Sequence, residues 1–258
     1  MKIVAAIQVS TKSLRLPGKA FKDICGKPVL VRIIERLRKA EEVDGIVIAT
    51  TVRPEDDALA GFAAERDLGC VRGEVTDVVG RLLAAARLAG ADAVLRVTGD
   101  SPMVDPELVN AVIGRYRTLG ERVSFVTTCL PPTFPEGYSM EVLPRNLLEH
   151  LDAVLVTPDD RETFAIYISK NTNLYSRSVV SYRKDASNFR LTLDYPEDFQ
   201  VIESVYRHFL GIGKEDFTID EVVDFLERHP EIAAINRRFI DREKYPYHLG
   251  DAAVKKAL

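Results

Sequence analysis

Two aspartates, each two residues before a proline, are the residues of this chain that most directly indicate chemistry. Asp100 lies in RVTGDSPM and Asp194 in LTLDYPED, and each follows an apolar run typical of a strand. An aspartate after a strand commonly forms a turn. However, Mg²⁺ prefers one or two carboxylates, with water and phosphate oxygens completing its shell. The pair therefore predicts a Mg²⁺ site, provided that the fold brings both side chains together.

A basic loop with a sharp turn follows the first apolar run of the chain. KIVAAIQV precedes STKSLRLPGK, which contains Arg15, Gly18 and Lys19. Gly18 lets backbone N–H groups approach an anion, and the two cations supply charge. A Walker A loop is excluded, because Ser13 and Ala20 replace its glycine and its Ser or Thr. A solvated basic loop and a phosphate site both fit, and together with the two aspartates the loop suggests a nucleoside triphosphate site.

The elements that must position these residues alternate between strands and helices in the first half of the chain. The predicted strands are 2–9, 44–51, 70–73 and 91–100, and the predicted helices are 28–43, 54–69, 76–90 and 105–120. This alternation predicts an α/β fold with a mostly parallel open sheet and helices on both faces. Ligands then bind beyond the carboxyl ends of the strands, where Asp100 and the basic loop lie.

The alternation is lost after about residue 123. Apolar runs there predict strands at 173–183 and 189–196, and helices at 196–211 and 218–230. We expect a nucleotidyltransferase domain over 1–215 with an α+β insertion at about 129–185. Residues 216–258 form a C-terminal helical extension, and the aromatic segment KYPYHLG within it is predicted to pack rather than to bind ligand.

Composition excludes several classes of function. The 258 residues carry a formal net charge of −4, which argues against a nucleic-acid partner. The three cysteines are odd in number and widely spaced, so we expect reduced thiols. No apolar run approaches the roughly 18 residues of a membrane helix. We expect a cytoplasmic protein with no membrane association.

The order of the motifs resembles the SpsF-like branch of the cytidylyltransferases, which is similar to CMP-sialate and CMP-Kdo synthetases. The resemblance covers about residues 1–210 and rests on LRLPGK, GKPVL, IVIATT, VRGEVTDVVGR, RVTGDSPMVDPEL, PPTFPEGYSMEV, DRET and LTLDYPEDF. It implies a GT-A-like nucleotidyltransferase fold and a homodimer. It also implies Mg²⁺-dependent transfer of CMP from CTP to an acidic sugar, polyol phosphate or phosphonate, with release of pyrophosphate.

The resemblance also implies roles for individual residues. Arg15, Lys19 and Asp100 would be catalytic, and Asp100 and Asp194 would hold the metal. The nucleotide would contact Gln8, Ser10, Lys12, Arg15, Gly18, Lys19, Arg72, Asp77, Arg81, Thr98 and Asp100. The acceptor would contact Glu136, Tyr138, Glu141, Arg161 and Glu162.

The chain departs from the family pattern in its most important loop. Ser10 stands where relatives carry an arginine, Lys12 where they carry a glycine, and Thr163 where they carry a histidine. We expect altered triphosphate contacts or an unusual acceptor. Two alternatives remain open at this point, namely a glycosyltransferase that uses a nucleotide sugar and a catalytically silent nucleotide-binding relative.

Overall fold

A seven-stranded mixed sheet forms the centre of the protein in a computed structural model that describes residues 1–13 and 15–240. The strands are β1 Ile3–Gln8, β2 Asp23–Ile24, β3 Lys27–Pro28, β4 Ile46–Thr51, β5 Gly69–Gly73, β6 Ala93–Thr98, β7 Phe125–Thr127, β8 Glu141–Pro144 and β9 Arg177–Val179. The α-helices are α1 Val29–Leu37, α2 Asp57–Glu65, α3 Val78–Ala89, α4 Pro106–Leu119, α5 Arg145–Val154, α6 Pro158–Glu162, α7 Phe164–Lys170, α8 Pro196–Gly211, α9 Ile219–Arg228 and α10 Pro230–Ala234.

The strand order of the large sheet is β5-β4-β1-β6-β8-β7-β9, while β2 and β3 form a separate hairpin. All its strands run in one direction except β8, which pairs antiparallel with both β6 and β7. The predicted α/β class with a mostly parallel sheet is therefore confirmed. The order of the strands reverses between β1 and β6, so the loops after these two strands flank the ligand crevice of such a sheet.

Helices cover both faces of the sheet, as the continuous apolar strands predict. Ile3, Ala5 and Ile7 of β1 belong to one buried cluster, together with residues of α1, α4, α8 and α9. Val4 and Ala6 point to the opposite face, where they join a second cluster formed with α3, α5 and α7. Alternation along one strand thus fills two cores, which explains why the strand contains no polar residue before Gln8.

The predicted strand at 189–196 is wrong. This segment contacts the chain at 136 through one isolated bridge, between Glu136 and Arg190. The loop beside it contains Pro131, Pro132 and Pro135, and prolines have no N–H group to donate to a ladder. The segment therefore stays extended without sheet pairing, and α8 begins directly after it at Pro196.

The region after residue 215 packs against the rest of the fold over its described part. Phe217, Val222 and Phe225 are buried in the same cluster as β1. The guanidinium of Arg36 donates to the carbonyl oxygen of Phe217 at 2.7 Å. The aromatic segment KYPYHLG lies outside the described residues. No helix among residues 1–13 and 15–240 has the length and apolarity needed to cross a bilayer.

Candidate active site

The basic loop after β1 is anchored to the neighbouring strand by a buried carboxylate. The backbone N–H and hydroxyl of Thr11 donate to Asp56 at 2.7 and 2.8 Å, and the hydroxyl of Thr51 donates to it as well. At the other end of the loop, the N–H of Gly18 donates to the carbonyl of Thr11 at 3.2 Å. Gly18 has a φ of 67°, which is the left-handed conformation that glycine adopts without strain. The loop is therefore closed and fixed to the end of β4.

Lys19 directly follows this turn and brings the two predicted metal ligands together. Its Nζ lies 2.9 Å from Oδ2 of Asp100 and 2.9 Å from Oδ1 of Asp194. It also donates to the carbonyl oxygen of Leu193. Arg15 lies 3.0 Å from the same Oδ1 of Asp194. Two carboxylates far apart in the sequence thus share one cation at the crevice between β1 and β6.

The pKa values of this cluster follow from its charges. Burial alone would raise the pKa of Asp194, but Lys19 and Arg15 lower it to about 2. Burial alone would lower the pKa of Lys19, but Asp100 and Asp194 raise it above its ordinary value. Both side chains are therefore charged at neutral pH, and the aspartate is ionised as a metal ligand requires.

The donor set fits Mg²⁺ in the manner expected when a substrate supplies the remaining ligands. Asp100 and Asp194 present oxygens to one point that a cation already occupies, the ammonium of Lys19. Within the described part of the chain, no cluster of three His, Cys, Asp or Glu residues could hold a metal by itself. Mg²⁺ seldom uses such a cage, and it typically binds one or two carboxylates plus phosphate oxygens.

A buried arginine fixes the side chain of Asp194. Arg190 is 4% exposed, and it contacts Asp194 at 3.2 Å, Asp198 at 2.9 Å and also Glu136. Asp198 in turn accepts the backbone N–H groups of residues 194 and 195, both at 2.9 Å, and the amide of Asn236. Asp194 is thus fixed through its side chain and its backbone by the first turn of α8.

Two cavities meet at this cluster. We call the one of about 370 Å³ the basic cavity, since Lys12, Arg15, Lys19, Arg53 and Arg81 line it. We call the one of about 340 Å³ the acidic cavity, since Glu136, Glu141 and Glu162 line it. Both volumes are typical of ligand pockets. The residues that line both cavities, which we call the junction, are Thr98, Asp100, Glu162 and Asp194.

Most of the predicted nucleotide contacts lie along the basic cavity. The predicted residues that line it are Gln8, Ser10, Lys12, Arg15, Lys19, Arg81, Thr98 and Asp100. Lys12 does not need the conformational freedom of the glycine that relatives carry, because Cys25 and Asp67 are the non-glycine residues with positive φ in the described chain.

Gly18, Arg72 and Asp77 line neither cavity. Arg72 uses its guanidinium on the carbonyls of Thr51 and Arg53, at 2.9 and 2.8 Å, and on Asp57. Asp77 caps α3 by accepting the N–H of Gly80 at 2.8 Å. The geometry gives both side chains a part in holding the loops around the basic cavity.

Of the predicted acceptor residues, four line the acidic cavity and one lies outside it. Glu136, Tyr138, Glu141 and Glu162 line the acidic cavity. Arg161 does not, because its guanidinium binds Asp77 at 2.7 Å and Asp152 at 2.6 Å. It joins α6 to α3 and thereby places Glu162, the next residue, at the junction.

Sequence reasoning missed Arg53 and Arg96, which line these cavities, and Asp56, which anchors the basic loop. Arg53 lies two residues after β4, so the rule that ligands bind at the carboxyl ends of strands could have indicated it. Arg96 lies within β6 and pairs with Glu141 at 3.1 Å, which no local pattern reveals. Asp56 sits inside a predicted helix, where nothing distinguishes it from its acidic neighbours.

The match to known families covers most of the chain. The family model described as Cytidylyltransferase matches residues 4–215. SpsF of Bacillus subtilis, a spore coat polysaccharide biosynthesis protein, is 27% identical over 90% of this chain and 96% of its own. The uncharacterized protein MJ1063 of Methanocaldococcus jannaschii is 30% identical over 92% of this chain and 95% of its own. The 3-deoxy-manno-octulosonate cytidylyltransferase of Syntrophobacter fumaroxidans is 36% identical, but over 44% of this chain and 46% of its own.

Solved structures show the same architecture. A cytidylyltransferase from Leptospira borgpetersenii superposes with a TM-score of 0.85 and 29% identity, over 90% of this chain and 97% of that one. A CMP:2-keto-3-deoxy-manno-octonic acid synthetase complexed with CTP gives a TM-score of 0.59 at 16% identity, over 81% of this chain and 99% of that one. At that identity the second likeness shows the fold alone.

Proposed function

The chain belongs to the cytidylyltransferase family, and from this premise we propose that it transfers CMP from CTP to an acidic sugar, polyol phosphate or phosphonate, with Mg²⁺ and release of pyrophosphate. One observation carries the proposal. A basic cavity and an acidic cavity meet at Asp100 and Asp194, with Lys19 between the two carboxylates. A transferase that joins two substrates needs such a meeting point, because the reacting atoms must approach within about 3 to 3.5 Å.

The basic cavity suits the triphosphate. Lys12, Arg15, Lys19 and Arg53 present their cationic groups around a closed backbone turn. Arginine binds phosphate oxygens as a fork and lysine as a point charge. We assign the β- and γ-phosphates to these residues, which leaves the α-phosphate at the junction.

Asp100 and Asp194 would hold the Mg²⁺, which when bound stabilises charge that develops on the phosphate oxygens. The protein's own contribution is to fix these ligands. Arg190 and the backbone contacts of Asp198 keep Asp194 in place, and the low pKa of Asp194 keeps it ionised. A fixed carboxylate does not need to reorganise during the reaction.

The acceptor would enter from the acidic cavity and attack the α-phosphorus in line with the departing pyrophosphate. A phosphate or phosphonate oxygen is already anionic and needs no base. A sugar hydroxyl must lose its proton, and Glu162 lies at the junction where a carboxylate could accept it.

The test is pyrophosphate release from CTP and Mg²⁺ with a panel of acidic sugars, polyol phosphates and phosphonates. We expect release with CTP and little with UTP or GTP. Release of CMP or CDP from a nucleotide sugar instead would indicate a glycosyltransferase. If calorimetry detects no binding of CTP in the presence of Mg²⁺, the proposed function is wrong.

We further propose that the protein is a cytoplasmic homodimer that associates through the 129–185 region. Val156 is 84% exposed and Leu174 is 63% exposed there, and large apolar side chains in contact with water favour association. Light scattering on Val156→Asp should give a lower mass than on the parent protein, whereas Leu88→Asp, at a position that is 56% exposed and lies outside this region, should not.

A further inference from the structure

The two cavities differ in the charges of the side chains that line them. Within the described chain, the acidic cavity is lined by five carboxylates and a single cationic side chain. They are Asp100, Glu136, Glu141, Glu162 and Asp194, with Arg96. An acceptor in this cavity therefore meets carboxylate oxygens on most sides.

The cationic side chains near this cavity already have carboxylate partners. Arg96 pairs with Glu141, which is 5% exposed, and it also donates to Gln8 at 2.8 Å. Arg190 pairs with Glu136 from within the core. Lys19 and Arg15 line the basic cavity and contact the aspartates of the junction from there.

Glu162 differs from the other carboxylates of the cavity. It forms no ion pair with any residue of the described chain, although Arg81 of the basic cavity interacts with it electrostatically, and it lies at the junction. Its side chain is exposed, and the helix that carries it is held in place because Arg161 beside it binds two aspartates. A carboxylate in a cleft that forms no ion pair favours a ligand of opposite charge and disfavours one of the same charge.

Most of the remaining polar side chains that line the cavity carry hydroxyl groups, among them Ser101, Thr128, Ser139 and Thr163. Hydroxyls can donate to or accept from the hydroxyl groups of a polyol or sugar. A second anionic group on the acceptor would lose its water in this cavity without gaining a cation, which is costly.

We propose that the acceptor carries one anionic group, which reacts at the junction, on a body whose other groups are hydroxyl or ammonium, and that Glu162 is the residue that selects for ammonium. This inference rests on the proposed function, since it assigns the acidic cavity to the acceptor. It excludes acceptors with a second carboxylate or phosphate on the body.

The test uses three pyranose phosphates whose bodies differ in charge: glucosamine 1-phosphate, glucose 1-phosphate and glucuronic acid 1-phosphate. Calorimetry on the full chain, saturated with Mg²⁺ and the unreactive analogue α,β-methylene CTP, measures the dissociation constant of each. We expect affinity to fall in that order, by about threefold a step, as one exposed charge contact implies. Glu162→Gln should abolish the difference between the amine and the neutral sugar. Asp159→Asn is the control, because it removes a negative charge from the same helix at a position that lines neither cavity. The difference between the amine and the neutral sugar should persist in this variant.

The outcomes separate this inference from the proposed function. Equal or tighter binding of the glucuronic acid derivative would overturn the inference, and so would an unchanged series in Glu162→Gln. If the CTP analogue binds and none of the three phosphates does, the inference fails while the nucleotide site stands. If the analogue itself does not bind, the proposed function fails first.

Discussion

At the scale of single residues, the most informative side chain is Lys19. Its ammonium lies between the two carboxylates that we assign to Mg²⁺. A metal ion and this ammonium need the same oxygens, so they compete. A triphosphate changes the balance, because it offers Lys19 other anionic partners and brings its own metal ligands. We expect the metal to enter together with the nucleotide.

Lys19→Met should therefore separate the two affinities. CTP binding should weaken by about tenfold or more, since charge-assisted hydrogen bonds contribute about 1.5 to 3 kcal/mol, and CMP binding should weaken less. Binding of Mn²⁺ without nucleotide should become tighter, because the ammonium that competes for the two carboxylates is absent. Calorimetry measures the first effect, and electron paramagnetic resonance of free Mn²⁺ measures the second.

Lys22→Met is the matched control, since Lys22 lies in the same region but lines neither cavity. Equal weakening of CTP and CMP, or unchanged Mn²⁺ binding, would contradict the assignment of Lys19.

Arg190 acts through Asp194, so its replacement should change the metal requirement. Arg190→Lys keeps the charge but loses the fork that reaches three carboxylates. We expect the Mg²⁺ concentration for half-maximal pyrophosphate release to rise several-fold, with a smaller change in KM for CTP. Arg190→Met should cost about 3 to 5 kcal/mol in the free energy of unfolding, because it leaves buried carboxylates without a partner.

The exposed pair of Arg183 with Asp220 provides the comparison for this arginine. Arg183→Met should change neither the Mg²⁺ concentration for half-maximal pyrophosphate release nor the free energy of unfolding. If Arg190→Lys raised that Mg²⁺ concentration and the KM for CTP by the same factor, a positioning role for Arg190 would be contradicted.

Sequence reasoning identified Asp100 and Asp194 because each follows an apolar run directly. It could not show that Arg72 and Arg161 bind neighbouring carbonyls and carboxylates rather than a ligand, because those partners are 6 to 84 positions away in the chain. The sequence specifies that an arginine carries charge, whereas the partner of that charge is decided by the assembled fold. The carboxylates that end strands are easier to predict, since the sheet edge places them.

At the scale of elements, the loop after β1 depends on an anchor that belongs to the next βα unit. Asp56 is fully buried and accepts both polar groups of Thr11. Burial alone would raise the pKa of Asp56, but the bonds from Thr11 and Thr51 lower it. Because the pKa is lowered on folding, this contribution to stability is complete above the ordinary aspartate pKa and is lost as the pH falls through the lowered value.

Asp56→Asn should make the basic loop more mobile, although Asp56 itself lines neither cavity. Its amide nitrogen cannot accept a hydrogen bond, so at least one contact to Thr11 or Thr51 is lost. We expect faster amide hydrogen exchange at residues 10–18 and a several-fold weaker CTP affinity. Glu55→Gln, which removes a neighbouring exposed charge, should leave both measurements unchanged, and a rigid loop in Asp56→Asn would show that the anchor is dispensable.

The alternation of apolar runs predicted the first four strands of the sheet to within three residues at each end. Prediction failed at 189–196, where the composition is that of a strand but the Pro-rich partner segment offers few donors. Strand formation there depends on a neighbour more than fifty residues away, which local pattern cannot report.

At the scale of the whole molecule, the family match ends at residue 215, but the core does not. Phe217 is 2% exposed and packs against Phe209 and Tyr206. The N–H of Ile219 donates to Asp105, the residue that caps α4, at 2.6 Å. The predicted extension thus completes the face of the sheet that carries α1, α4 and α8.

A chain that ends at residue 215 should fail to unfold cooperatively in a thermal scan, because it exposes the apolar surface that α9 covers. In the full chain, Phe217→Ala should cost about 3 to 5 kcal/mol, and Phe217→Leu should cost less because it refills most of the volume. A stable, cooperative 1–215 fragment would show that this region forms a unit independent of α9.

The reversed strand β8 has a consequence for how such proteins diversify. The chain leaves the sheet at Thr127 and re-enters it at Glu141, and these two residues are paired with each other. The segment 128–140 between them begins and ends at one residue pair of the sheet. Its length and composition can therefore vary without shifting the pairing of either flanking strand. A lineage that exchanges this segment can therefore change the lining of the acidic cavity, provided that it keeps a carboxylate at the position of Glu136, which pairs with Arg190.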